Sequence, residues 1–463
     1  MLFNSPEFLI FTIALLAVLS VTRGRWTHWA LLLASYLFYG WWDWRFVGLL
    51  LFSTTVDYSV GRLLEHTANE VARRWVLGLS IATNVGLLAF FKYYGFLSGN
   101  LAAVFGHPVL PALHVILPIG ISFFTFQSLS YTIDVYRRKL PAERSFLRFA
   151  LFLAFFPQLI SGPITRATEF LHQFRRAHRL SLMRASLGGQ IFLTGFIKKT
   201  FVADRLAGFV DPVFAHPLAF DSPTALLATV GYALQIFCDF SGYSDMAIGV
   251  AIVFGYRLVQ NFETPYRSLS ITEFWRRWHQ SLSRWLRDYL YIGLGGNRGN
   301  ALRTRTNLML TMLIGGLWHG ASWNFVLWGG MHGAALVLDR STPGVRGWLE
   351  RQVLGRVLLW GVTFAWVCLA WVLFRAPSFQ RAAEMYSRLF RWSDQGTRWL
   401  APEVIVLLVV AVIAHLIRER MGHRRYPTVN PGTLWGGFVF GAVLLIAMLG
   451  YPKSAQPFIY FQF

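Results

Sequence analysis

Asn307-Leu308-Met309-Leu310-Thr311-Met312-Leu313-Ile314-Gly315-Gly316-Leu317-Trp318-His319-Gly320-Ala321 is the stretch whose reading decides the fold of this chain. It opens an apolar run that continues to Leu338 without a single Asp, Glu, Lys or Arg. A run of that character belongs in a membrane, and an imidazole at membrane depth is costly unless it has a partner or a task. His319 is therefore the first candidate functional residue. The segment before it is basic through Arg267, Arg276, Arg277, Arg284, Arg287, Arg298, Arg303 and Arg305, and Arg340 to Arg356 follows it. Lys and Arg concentrate on the cytoplasmic side of membrane proteins. With both flanks on that side, the run must enter and return. Its first arm, Asn307 to Trp318, has 12 residues. At about 1.5 Å per residue it reaches roughly 18 Å, about half a bilayer. This predicts a re-entrant hairpin over residues 306–339 with His319 near its tip, where Gly315, Gly316 and Gly320 permit a break in the backbone.

The rest of the chain supports the membrane reading. Of its 463 residues 55% are hydrophobic and 14% charged, against roughly 25% charged in soluble proteins. Further apolar runs lie at Glu7–Val21, Ala30–Trp42, Phe46–Leu64, Trp75–Phe91, Leu117–Val135, Phe149–Ile160, Leu187–Val202, Thr224–Phe254, Val357–Phe374, Pro402–Ile417 and Leu434–Leu449. The fold class expected is an all-α polytopic integral membrane protein, with about 11 transmembrane helices. Re-entrant and interfacial helices add to them. No linker separates soluble domains, so residues 1–463 read as one membrane-embedded domain, with 256–305 as a cytoplasmic amphipathic segment. The first run lacks a cleavage site and reads as a retained helix. The net charge of +21 sits in short loops, such as Arg166 to Arg184 and Arg418 to Arg425. It marks cytoplasmic loops facing anionic headgroups, not nucleic-acid binding. The same counting puts the C-terminus on the extracytoplasmic side. Cys238 and Cys368 both lie in apolar runs, which indicates neither a disulfide framework nor a thiolate metal site.

Upstream of His319 is His279, in Trp275-Arg276-Arg277-Trp278-His279. From Ser270 to Tyr291 helical spacing puts Trp275, Trp278, Trp285 and Tyr289 on one face and Arg276, Arg277, Arg284 and Arg287 on another. An interfacial helix with snorkelling arginines explains those residues. It leaves His279, Glu273 and Asp288 unexplained. The functional reading is a cytoplasmic funnel whose arginines meet the phosphates of an anionic donor. The run Gly293-Leu294-Gly295-Gly296-Asn297-Arg298-Gly299 follows; it is a phosphate cradle or a sharp turn, and lacks P-loop spacing. Asp239 and Asp245 stand in an apolar run, where they orient a histidine, pair with an arginine or join helices. No metal site is indicated: His319 and His332 have no carboxylate or cysteine between them, and H-E-x-x-H is absent. No nucleophile elbow is present.

Thr272-Glu273-Phe274-Trp275-Arg276-Arg277-Trp278-His279-Gln280-Ser281-Leu282-Ser283, then Leu294-Gly295-Gly296-Asn297-Arg298, and Gly315-Gly316-Leu317-Trp318-His319-Gly320-Ala321 resemble the membrane-bound O-acyltransferase (MBOAT) family. The likeness is greatest to its branch acting in O-acetylation of alginate and other polysaccharides. It extends to Leu117-Pro118-Ile119-Gly120, to Asp239–Gly249 and to Trp371-Val372-Leu373-Phe374-Arg375. The resemblance implies an MBOAT core with a central pore, His319 as catalytic histidine and His279 as the second essential position. Arg276, Arg277, Trp278, Arg287, Asn297 and Arg298 would then serve the donor side, with Asp239, Tyr243, Asp245 and Trp318 in support. It implies acetyl-CoA as donor, with no bound cofactor, and transfer across a bacterial inner membrane to an exported polysaccharide. The partner implied is a periplasmic or membrane-anchored SGNH acetyltransferase of AlgJ-like type. Other outcomes are D-alanyl transfer of the teichoic-acid type, or O-acetylation of peptidoglycan or cellulose. From a different class comes a proton-coupled transporter, against which stand the missing inverted repeat and the long basic segment. Finally, Phe458-Ile459-Tyr460-Phe461-Gln462-Phe463 is either an aromatic anchor or an acyl relay through Tyr460, its only side-chain hydroxyl.

Overall fold

The structure, a computed structural model, describes residues 1–175, 180–420, 426, 428–430, 432–449 and 458. Among these every regular element is a helix, and β-type pairing is confined to one bridge between Phe220 and Thr397. Three described helices are long and apolar enough to cross a bilayer: Glu70–Phe105 with 36 residues, Ser222–Val253 with 32 and Val353–Arg375 with 23. Pro6–Val21, Pro402–Ile417 and Leu434–Ile446 are shorter apolar helices. The chain forms two compact units, one of Met1–Phe192 with Met246–Val259, the other of Leu193–Asp245 with Gln260–Phe463.

The first unit is built on helix Ile121–Tyr136, which is buried almost throughout and packs on helices Arg45–His66 and Glu70–Leu88. Its polar residues are tolerated because hydrogen bonds cross between these helices. Ser80 Oγ donates to Asp57 Oδ1 at 2.6 Å and lies 3.0 Å from Thr132 Oγ1. Asn84 Nδ2 donates to both Asp57 oxygens at 3.0 Å. A carboxylate away from water needs such donors. Gly61 is required here: a Cβ would lie 2.5–2.9 Å from the Tyr131 ring and hydroxyl.

The second unit holds helices Ala301–His319 and Trp323–Ser341, packed along one another. The first begins six residues before the expected Asn307, because Asn300 Oδ1 caps it by accepting from Arg303 N at 2.8 Å. Its 19 residues span about 28 Å. The glycines do not break it. Gly315 and Gly316 are helical, and Gly316 meets Gly329 of the next helix: a Cβ at Gly316 would lie 2.2 Å from Phe325 O and 3.1 Å from Gly329 Cα. Gly316 serves close backbone approach, as small residues do between helices in membranes. The turn falls at Gly320, directly after His319.

Candidate functional site

The amphipathic segment is not one continuous helix. Ser270 caps its start by accepting from Glu273 N at 3.1 Å, and Glu273 Oε2 accepts from Leu269 N at 2.7 Å. This reciprocal capping is written in the Ser-x-x-Glu spacing. The helix then stops at Arg277, and a second one starts at Gln280. Between them His279 takes left-handed backbone angles, φ 41° and ψ 54°, a conformation costing about 1–2 kcal/mol for a residue with a side chain. Tertiary hydrogen bonds hold the break: Glu263 N donates to Arg277 O at 2.9 Å and Gln280 N to Asn261 O at 2.9 Å. Strain kept in place this way is a mark of functional positions.

The break turns the His279 imidazole inward, where it is fully buried. Nδ1 lies 3.1 Å from Asn261 Oδ1, which also accepts from Ser281 N at 3.2 Å and Ser281 Oγ at 2.9 Å. Asn261 is held in turn, its Nδ2 donating to Ser244 Oγ at 3.3 Å. An acceptor at Nδ1 places the ring proton there and leaves Nε2 as a lone pair. That Nε2 is buried without a hydrogen-bond partner. Burial drives the imidazole pKa down from 6.5 to about 3, so the ring is neutral. Phe240 packs edge-on against it at 4.6 Å between centroids.

His319 is also buried, in a cage of Trp318, Trp328 and Phe374 at 5.0, 5.0 and 5.3 Å. Trp318 reaches the other histidine too, 6.2 Å from the His279 ring. One tryptophan thus touches both. On the far side of Trp328, at 4.9 Å, is His332, whose Nδ1 accepts from Trp275 Nε1 at 3.3 Å. The helix Ile271–Arg277 is thereby tied to the ring that walls His319.

The remaining expected residues divide by exposure. Arg276, Arg287, Asn297 and Arg298 are exposed. Arg287 pairs with Asp288 at 2.6 Å. Arg277 is engaged by Glu273 at 2.6 Å and Thr264 at 3.1 Å. Trp278 is 1% exposed, packed on Phe262 and Trp371 at 5.0 Å each, so it contributes to the core beneath the site. Among the described residues Asp239 and Asp245 pair with lysines. Lys199 Nζ lies 2.5 Å from Asp239 and 2.8 Å from Asp204; Lys198 Nζ lies 2.6 Å from Asp245. Both lysines sit on a π-helical turn, Lys198–Ala203. Such turns recur at functional positions. Tyr243 is buried beside Phe458, with ring centroids 4.8 Å apart. Tyr460 lies outside the described residues.

Sequence reading passed over Asn261, Ser281, Lys198, Lys199 and Trp328, and weighed His332 only as a metal ligand. The lysine pair carried a signal: two cations inside the run Leu187–Val202 call for two anions in another run. Asn261 carried none, since a single Asn in a polar loop is unremarked until a histidine folds against it.

The MBOAT model, for the membrane-bound O-acyltransferase family, matches residues 76–374. The chain is 42% identical over 438 residues to the probable alginate O-acetylase AlgI of Azotobacter vinelandii, covering 92% of this chain and 86% of that relative. It is 38% identical to the peptidoglycan O-acetyltransferase of Helicobacter pylori, over 77% of this chain and 72% of the relative. To the teichoic acid D-alanyltransferase of Streptococcus thermophilus it is 31% identical, over 50% and 58%. His279, His319, Asn261 and Trp318 fall inside the matched residues; the helix from Pro402 does not.

Proposed function

The chain belongs to the membrane-bound O-acyltransferase family, and we propose that it carries an acetyl group from cytoplasmic acetyl-CoA across the inner membrane for O-acetylation of an exported polysaccharide such as alginate. It is a membrane-embedded O-acetyltransferase. About eleven crossings surround a central pore that joins the two faces. An extracytoplasmic SGNH acetyltransferase of AlgJ-like type completes transfer to the glycan. Alginate is favoured over peptidoglycan because similarity to the alginate relative covers more of the chain at higher identity.

The observation that carries this reading is the contact of Trp318 with both His279 and His319. Two buried imidazoles on one indole give a water-poor place where a thioester and a hydroxyl meet. His319 takes the proton of the attacking hydroxyl; its oxygen bonds to the thioester carbon. The carbon–sulfur bond breaks, and the proton leaves with the coenzyme thiol. His279, neutral, offers Nε2 as an acceptor that holds the donor. The exposed Arg276, Arg287 and Arg298 meet the donor's phosphates. Tyr460 is the candidate for a covalent acetyl stop on the far side, its phenol oxygen taking the acyl group and passing it on.

The test is incubation of purified protein with radiolabelled acetyl-CoA. Time-dependent release of coenzyme thiol, lost in His319→Ala, is expected. Turnover with a D-alanyl carrier protein instead would move the chain to the other donor class, and turnover with neither would return the transporter reading.

A further inference from the structure

His332 is a fully buried imidazole that neither the proton transfer nor the donor contacts described above use. It sits on the return arm of the hairpin, helix Trp323–Ser341. Rings surround it: Phe274 lies parallel to it at 6.0 Å, and Trp275, Trp328 and Trp371 stand at 5.1, 4.9 and 6.5 Å. A phenylalanine would serve these ring contacts as well. What the histidine adds is an acceptor, since its Nδ1 takes the indole N–H of Trp275 at 3.3 Å. An indole nitrogen only donates, so the proton of the neutral ring is on Nε2. That second nitrogen is buried with no hydrogen-bond partner among the described residues. One hydrogen bond is gained and one buried donor is left unmade, and the second effect is at least as large as the first. Two phenylalanines at these positions would be no less stable. The bond is therefore better explained by the geometry it fixes than by stability.

That geometry joins the segments of the two site histidines. Trp275 stands four residues before His279, on helix Ile271–Arg277. His332 belongs to the hairpin whose first arm ends at His319. The helices Ile271–Arg277 and Trp323–Ser341 pack together and are pinned at two points. Thr272 N donates to Asp339 Oδ2 at 2.8 Å, and Trp275 donates to His332 about one turn later. Asp339 and His332 are seven residues apart, so they share a helix face. The first bond fixes where the helix Ile271–Arg277 begins. The second fixes the half that runs into the left-handed backbone at His279. On its other side His332 packs on Trp328, whose ring stands 5.0 Å from that of His319.

We propose that His332 is a positioning residue: by accepting from Trp275 and packing on Trp328 it keeps His279 in register with His319, without touching substrate. Its role rests on the reading above, in which the two histidines serve one reaction.

The experiment uses the full-length protein, purified in detergent, with acetyl-CoA as the probe. Release of the coenzyme thiol gives kcat and KM, and Tm is measured beside them. Trp275→Phe and His332→Phe each keep a ring and break the bond. Both should lower kcat about tenfold or more with KM unchanged, since a 1 Å displacement can cost about 10²-fold. The double variant removes both polar partners, so Tm should return towards wild type while kcat stays low. His332→Asn does the reverse. Its Oδ1 replaces Nδ1 as acceptor but the ring is lost, so kcat should exceed that of His332→Phe although Tm is lower. A kcat that recovers with Tm in the double variant overturns the proposal. So does a loss in His332→Asn as large as in His332→Phe, or a rise in KM with kcat held, which would give His332 to donor binding. Wild-type protein that releases no thiol would overturn the shared reaction itself, and the positioning role with it.

Discussion

Asn261 sets the tautomer of His279: its Oδ1 lies 3.1 Å from Nδ1, and the opposite nitrogen, Nε2, is left buried as a free lone pair. Asn261→Ala removes that acceptor and lets the ring turn. A net hydrogen bond of about 0.5–1.5 kcal/mol corresponds to a fall in turnover of up to roughly tenfold. Asn261→Asp keeps the acceptor but sets a negative charge beside the ring, which raises the imidazole pKa. Turnover of that variant should begin to decline at a higher pH than that of the wild type. Identical pH profiles in the two would remove Asn261 from the mechanism.

The same burial makes a stability prediction. His279 is held near a pKa of about 3 against 6.5 unperturbed. Between those values the unfolded chain takes up a proton that the folded chain refuses. Stability from this residue is complete above pH 6.5 and falls as the pH drops towards 3. The gap in Tm between wild type and His279→Gln should therefore change between pH 7 and pH 5, with the wild type losing ground. Parallel Tm curves would show that the folded ring is not neutral.

His319→Ala should lose activity by at least about 10²–10⁴-fold, the range of one proton-transfer role. Expression and monodispersity should hold, since the cavity left is walled by Trp318, Trp328 and Phe374. Normal glycan acetylation by this variant would end the assignment.

Arg276 and Arg277 are adjacent in sequence and should behave differently. Arg276 is exposed, and Arg277 is tied to Glu273 and Thr264. Arg276→Ala should raise KM for acetyl-CoA, with kcat unchanged and the effect shrinking in high salt. Arg277→Ala should lower Tm as well. Equal KM for wild type and Arg276→Ala would leave this face to the lipid headgroups.

Lys199 lies 2.5 Å from Asp239 and 2.8 Å from Asp204. Lys199→Met leaves the buried Asp239 and the half-buried Asp204 without this cation, and breaking a buried pair typically costs about 3–5 kcal/mol. Poor recovery of folded protein is expected, with partial rescue when Asp239→Asn is added. Full stability of the single variant would show that water reaches this cluster.

Tyr460→Phe keeps the aromatic ring and removes the hydroxyl. If Tyr460 relays the acyl group, this variant stops glycan acetylation, and acetyl-tyrosine accumulates in the wild type when the extracytoplasmic partner is missing. Wild-type glycan acetylation in Tyr460→Phe would leave an anchor only.

What the sequence determined by itself was local or compositional. Apolar runs announced a membrane chain because burying backbone in lipid forces helices. The basic and aromatic faces from Ser270 to Tyr291 announced an amphipathic segment because helical spacing is local. His319 stood out because an imidazole in an apolar run is rare. The tertiary structure decided what depends on partners distant in the chain. It broke the amphipathic segment at His279, since Asn261 supplies hydrogen bonds from 18 positions away that outweigh helical propensity. It turned Gly316 from an expected hinge into a contact with Gly329, because a glycine permits both and only the packed neighbour selects. It gave Asp239 and Asp245 to Lys199 and Lys198, since a buried charge is satisfied by whichever counter-charge the fold brings close.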